Sequence, residues 1–199
     1  MHEHEHEDEE AHAHDEGDEG DEGAALEREA RRLIALSRIR QYGDPALRMR
    51  GREVEAFDDD LRRLVERMTE LMHEAQGVGL AATQVGVLRR VFVFVDEGED
   101  RVLVNPVITE RSKETEADEE GCLSLREVLV PVERSTAVTI EGQDVHGERV
   151  QLSLELPSAR IVQHELDHLD GVLILDRTDP ESRRAALAEL RPQPVLGAR

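Results

Sequence analysis

Gln163-His164-Glu165-Leu166-Asp167-His168-Leu169-Asp170-Gly171 is the stretch on which the reading of this chain turns. On a helix, residues four apart lie about one turn along the same face, so the imidazoles of His164 and His168 can address one metal ion. Glu165 sits beside the first of them, where a carboxylate can take a proton from metal-bound water. Two histidines do not make a catalytic site, which needs a third protein ligand and one open position. The single thiol of the chain, Cys122, lies upstream in Glu120-Gly121-Cys122-Leu123-Ser124. A His-Glu-x-x-His pattern is short enough to recur by chance, and its pairing with a unique cysteine is what gives it weight.

Working outward, Pro157 and Ser158 open the helix that carries the motif and Gly171 stops it. Val-rich segments precede it at Val91–Val95, Val102–Ile108, Val128–Val132, Ala137–Ile140 and Val150–Leu156, each bounded by Gly, Pro, Asp or Glu. Gln143 to Gly147 reads as a hairpin connection, with His146 a turn residue. Asp58 to Asp60 can cap an earlier helix whose apolar positions are Leu61, Leu64, Val65, Met68, Leu71, Met72 and Ala75, with Gly77 or Gly79 ending it. Its methionines read as core filler and His73 as a surface partner of the helix end. Tyr42-Gly43-Asp44-Pro45 reads as a turn. The order helix, strands, helix predicts an α+β fold: a mostly antiparallel β-sheet packed around a central metal-binding helix, with a preceding N-terminal helix.

The 199 residues suit one domain with extensions. Aromatic residues are only 2%, so the core must rest on Leu, Val, Ile and Ala. Met1 to Gly23 holds twelve acidic residues and no Lys or Arg; setting these aside, the formal charge of −21 falls to −9. That low-complexity tail lacks the apolar surface to offset ordering entropy. It also carries His2, His4, His6, His12 and His14, which read as part of a solubilising tail or tag ahead of a weak metal-scavenging segment. A charged helical stretch is expected from Ala24 to Arg40, leading into Leu33, Ile34, Leu36 and Ile39. The divisions are a disordered acidic extension over 1–29, a catalytic domain over 30–186 and a short C-terminal tail over 187–199, frayed from Pro192. The acidic balance argues against DNA or general nucleic-acid binding, and no apolar run suits a membrane span. An acidic N-terminus and a lone cysteine leave the cytoplasm as the default location.

A third segment, Gly77-Val78-Gly79-Leu80-Ala81-Ala82-Thr83-Gln84, combines small residues that permit close approach by a ligand with an amide that can donate to a developing oxyanion. With Glu120 to Ser124 and Gln163 to Gly171, in this order and approximate spacing, it resembles the peptide deformylase family over about Ile34 to Arg184. The resemblance implies that Cys122, His164 and His168 bind a divalent metal, Fe²⁺ first, with Zn²⁺, Ni²⁺ or Co²⁺ as substitutes. It implies that Glu165 is general base and then proton donor. Gln84 through its side-chain amide and Leu123 through its backbone N–H would stabilise the oxyanion, and Val78 and Gly79 would hold the substrate backbone. The implied reaction hydrolyses the N-formyl group from the initiator methionine of nascent chains, releasing formate.

Leu125-Arg126-Glu127 departs from the aliphatic-Pro-Gly continuation common in that family, which places preference beyond methionine in question. The C-terminus lacks a lysine-rich tail, so ribosome proximity is expected to be transient at most. Two further readings stand beside this one. A zinc endopeptidase would need a downstream ligand, for which Asp176 and Asp179 are the candidates. A metal-buffering protein would centre on the histidine-rich tail. An inactive homologue with an intact site has the same sequence signature.

Overall fold

A computed structural model describes residues 18–191. Among them are four α-helices, α1 (Asp18–Arg38), α2 (Asp59–Glu74), α3 (Ser158–Leu169) and α4 (Pro180–Glu189). The strands are β1 (Gly79–Ala81), β2 (Val91–Asp96), β3 (Glu99–Arg111), β4 (Thr115–Cys122), β5 (Leu125–Ser135), β6 (Ala137–Gln143) and β7 (Arg149–Glu155). An antiparallel five-stranded sheet runs β1-β2-β3-β6-β7, and β4 and β5 form a separate antiparallel pair.

The alternation along β2 explains the layering. Val91 and Val93 bury into one cluster with Leu61, Met68 and Met72 of α2 and with Ala35, Leu36 and Ile39 of α1. Phe92 and Phe94, on the opposite face, bury with Ala159, Val162 and Leu169 of α3, because successive strand residues point to opposite sides. The two phenylalanine rings meet edge-on at 5.6 Å. The sheet is therefore covered on both faces, by α1 and α2 on one side and α3 on the other.

Local signals account for the helix ends. Asp58 caps α2 by accepting the Leu61 N–H at 3.0 Å. Its far end turns at Gln76, which takes the left-handed conformation (φ 58°) that the sequence assigns to Gly77 or Gly79. Gly171, at φ 74°, turns the chain after α3. His73 pairs with Asp100 on the surface at 2.8 Å, and His146 lies in the β6–β7 connection.

Three elements depart from expectation. Strand β4 reads Thr-Glu-Ala-Asp-Glu-Glu-Gly-Cys, with no apolar alternation to announce it, because it is mostly exposed and pairs only with β5. Strand β1 is too short for a periodicity. Helix α4 has no counterpart in the sequence reading, although Asp179 caps it through the Glu181 and Ser182 N–H groups and Pro180 opens it. The boundary expected at 186/187 falls inside α4, whose Ala186, Leu187 and Leu190 pack with Leu125, Val128 and Val130 of β5. From Asp18 the acidic extension expected to be disordered is helical; residues 1–17, with the tail histidines, and the expected fraying from Pro192 lie outside the described residues. No described helix is long and apolar enough to cross a membrane.

Candidate active site

Helix α3 sets His164 and His168 one turn apart, with ring centroids 4.9 Å from each other. Their Nε2 atoms are 3.1 Å apart, and Cys122 Sγ is 3.2 Å from His168 Nε2. The three ligand atoms all lie within 4.8 Å of one another, the only such group among the described residues that includes these histidines or Cys122. Bonds of 2.0–2.3 Å to one tetrahedral ion place ligand atoms roughly 3.3–3.7 Å apart, so the cluster needs little adjustment to hold a cation. A thiolate with two imidazoles suits a transition metal better than Mg²⁺ or Ca²⁺. Cys122 comes from the end of β4, just before the two-residue turn Leu123-Ser124 into β5. Its sulfur faces the Ser124 N–H at 3.4 Å.

The imidazole of His164 is held from behind. Its Nδ1 lies 3.0 Å from Glu120 Oε2, which directs the Nε2 lone pair toward Cys122 and His168 when Nδ1 carries the proton. Arg134 of β5 donates to both oxygens of Glu120, through Nε at 2.9 Å and Nη2 at 3.0 Å, and Arg160 of α3 donates at 2.9 Å. Burial alone would raise the Glu120 pKa, but the His164 and Arg134 hydrogen bonds and charges outweigh it and lower the value to about 2. Arg134 also donates to Asp167, which Arg177 grips as well. Buried charges on β4, β5 and α3 thus satisfy one another, the condition under which such groups are tolerated. Burial and the neighbouring His164 charge push His168 well below the usual imidazole range, favouring the neutral form.

Glu165 has a different environment. It is buried, and its Oε2 has no hydrogen-bond partner among the described residues. Burial, reinforced by the Glu120 charge and opposed by those of His164 and Arg134, raises its pKa to about 7. A carboxyl poised there can take or give a proton near neutrality. Gly79 makes room for it: a Cβ at that position would sit 2.9 Å from the Glu165 Cδ. At Gly77 a Cβ would meet Leu123 Cδ1 at 2.7 Å. Both glycines accommodate the site's own side chains, a more specific role than the ligand approach read from sequence.

Gln84 is buried with its amide oriented from both ends. Oε1 accepts the Ala81 N–H at 2.8 Å, while Nε2 donates to Ser124 Oγ at 3.1 Å and lies 3.7 Å from Cys122 Sγ. One cavity of about 640 Å³ is lined by Val78, Gly79, Gln84, Cys122, Leu123, His164 and Glu165 together. His168 is buried beneath it, at the back of the cluster. Seven of the eight residues singled out from sequence thus face a common space, and the eighth touches two of them. The endopeptidase candidates do not: Asp176 accepts the Leu173 N–H and pairs with Arg48, and Asp179 caps α4. Sequence reasoning gave no role to Glu120 or Arg134. Glu120 stands two residues before the cysteine, a usable signal; nothing local marks Arg134.

An antiparallel α+β fold with a buried, unpartnered carboxyl beside a Cys/His/His cluster defines a hydrolase of the metal-dependent kind. Residues 36–184 match the sequence profile of the family described as polypeptide deformylase. The peptide deformylase of Thermotoga neapolitana is 52% identical over 149 residues, 74% of this chain and 90% of that one. Peptide deformylase 1 of Corynebacterium efficiens is 46% identical over 157 residues, covering 77% and 93%. The crystal structure of the Thermotoga maritima peptide deformylase superposes with a TM-score of 0.70 at 48% identity, covering 72% of this chain and 97% of that one. The chain belongs to the polypeptide deformylase family, enzymes that remove the N-formyl group from nascent peptides.

Proposed function

We propose that Cys122, His164 and His168 hold the divalent metal on which this family depends, and that Glu165, Gln84 and Leu123 carry out the deformylation around it. The convergence of three ligand atoms beside an unpartnered Glu165 oxygen is the observation that carries this reading. Fe²⁺ is the ion we assign, with Zn²⁺, Ni²⁺ and Co²⁺ as working substitutes; the sulfur and imidazole donors support all of them. When bound, the cation supplies Lewis-acid polarisation of the formyl carbonyl and acidifies water at neutral pH.

Glu165 takes a proton from the attacking water as the new C–O bond forms. The Gln84 amide and the Leu123 N–H donate to the oxygen that gains charge, a contribution of about 3–4 kcal/mol for one such donor. As the C–N bond breaks, Glu165 returns the proton to the methionine nitrogen, leaving formate and a free amine. Val78 and Gly79 lie along the cavity wall, where their backbone can hold the peptide beside the centre. Glu120, gripping His164 from behind, acts through that ligand as a positioning residue. The substrate is an N-formyl-methionyl nascent chain met in the cytoplasm, with at most passing proximity to the ribosome.

The test is formate release from a short formyl-Met peptide by anaerobically purified protein loaded with Fe²⁺, beside Glu165→Ala with its metal content measured. Rapid release by the wild type and none by the metal-loaded variant is the expected result. No release by a correctly loaded wild type would overturn the assignment.

A further inference from the structure

The cavity has a wall that the family match does not include. Glu29, Arg32 and Leu33 of α1 line the same space as Cys122 and Glu165, and they precede the matched residues 36–184. The C-terminal end of this helix is anchored in the core. Ala35, Leu36 and Ile39 are buried with α2. The residues that follow are tied to the site itself: the Arg40 N–H donates to the Gln84 carbonyl at 2.7 Å, Gln41 Nε2 to the Leu123 carbonyl at 3.1 Å, and the Tyr42 N–H to the Ser124 carbonyl at 2.8 Å.

A polypeptide whose formyl end reaches Cys122 must leave past the outer part of this cavity. There Leu33, Val78 and Leu129 present exposed apolar surface. Arg32 from α1 and Arg126 from the β5 side supply cationic groups to the same lining. Deeper in, Arg160 and Glu120 bond each other. Glu29 opposes only in part: it pairs with Arg32 Nη1 at 3.4 Å, a long contact between half-exposed side chains. The Nε of Arg32 is buried and has no hydrogen-bond partner among the described residues. That anchors the stem of the side chain, while its guanidinium, 39% exposed as part of the side chain, is open to a charged acceptor arriving through the cavity.

We propose that α1 completes the substrate cleft, with Arg32 acting together with Arg126 as a subsite for a carboxylate side chain on the residue that follows formyl-methionine. This rests on the deformylase reading above and adds a preference to it: acidic residues are favoured at that position and basic ones disfavoured. An ion pair at a partly exposed guanidinium contributes modestly, so the discrimination should be about two- to fivefold.

The experiment compares kcat/KM for formyl-Met-Asp-Ala-amide and formyl-Met-Lys-Ala-amide within each protein, for the wild type, Arg32→Gln and Arg32→Glu. The wild type should favour the aspartyl peptide, chiefly through KM. The ratio should fall toward one in Arg32→Gln and invert in Arg32→Glu. Equal use of both peptides by the wild type, or a ratio unmoved by either substitution, overturns the subsite. If neither peptide loses its formyl group, it is the catalytic assignment that has failed. Calorimetric binding of Met-Asp-Ala-amide and Met-Lys-Ala-amide then still decides the question: tighter binding of the first, lost in Arg32→Glu, supports the subsite, and equal affinity refutes it.

Discussion

Glu120 Oε2 and His164 Nδ1 stand 3.0 Å apart although 44 residues separate them in the chain. The contact joins strand β4 to helix α3 and sets the orientation of one proposed ligand from the strand that carries another. Replacing Glu120 by Gln keeps the size of the side chain but removes the charge that Arg134 and Arg160 bond. Metal affinity should fall about 10- to 100-fold, as is usual when the partner of a ligating histidine is changed. Competition with a chelator of known affinity measures this. Leaving two buried guanidinium groups poorly paired should also cost about 3 kcal/mol, visible in denaturant unfolding.

Gln84→Ala should reduce kcat by about 10²- to 10³-fold while metal content is retained, the loss expected for one oxyanion donor. The structure adds a stability effect. The Ala81 N–H and Ser124 Oγ both lose their partner, at about 1–3 kcal/mol for a buried polar group left unsatisfied. Metal analysis, single-turnover formate release and a melt of the same sample separate these effects. An unchanged rate would remove Gln84 from the chemistry.

Gly79→Ala tests the packing around Glu165. The added methyl would overlap the carboxyl, whose Cδ it would approach to 2.9 Å. Either Glu165 moves or strand β1 does, so the variant should lose both activity and about 1–3 kcal/mol of stability, as overpacked sites do. The same substitution at Gly98, where an added Cβ meets nothing within 4 Å, is the comparison for steric crowding, although its φ of +84° adds backbone strain of its own.

Acid stability should report on Asp176. Burial raises its pKa, but the Arg48 hydrogen bond, the Leu173 N–H and the charges of Arg48 and Arg183 together lower it below the ordinary 3.8. A carboxyl lowered on folding stabilises the protein fully above its unfolded value and loses that effect as pH falls through the folded one. Asp176→Asn should therefore cost about 1 kcal/mol at neutral pH, a partly exposed pair being screened by water. The gap in melting temperature between wild type and variant should close as the pH drops below 3.8. A gap independent of pH would mean that the carboxylate's charge is not what matters there.

The parts of this architecture that were legible share a physical basis. Helix α3 could be read because His164 and His168 keep helical spacing and Pro157 and Gly171 mark its ends. Strand β2 could be read because Val and Phe alternate between two buried faces. Strand β4 could not, since its carboxylates face water and only its last residues serve the site. The part of Glu120 depends on how a hairpin lies across α3, a relation carried by no local pattern. Arg134 bonds both Glu120 and Asp167, and in sequence it is one arginine among many. The left-handed turn after α2 falls on Gln76 rather than on either nearby glycine, and it is held by the Gln76 and Gly77 N–H groups on the His73 and Met72 carbonyls, a pairing that no local sequence signal announces.

Helix α4 contributes none of the residues that line the cavity, yet it packs on the strand that leads back to Cys122. The hairpin belongs to neither face of the main sheet, and Ala186, Leu187 and Leu190 are much of what its β5 side rests on. A chain cut before Pro180 would keep every residue proposed to act on the formyl group. What it would surrender is apolar backing for β5, so α4 serves the centre as a foundation for the strand that follows Cys122.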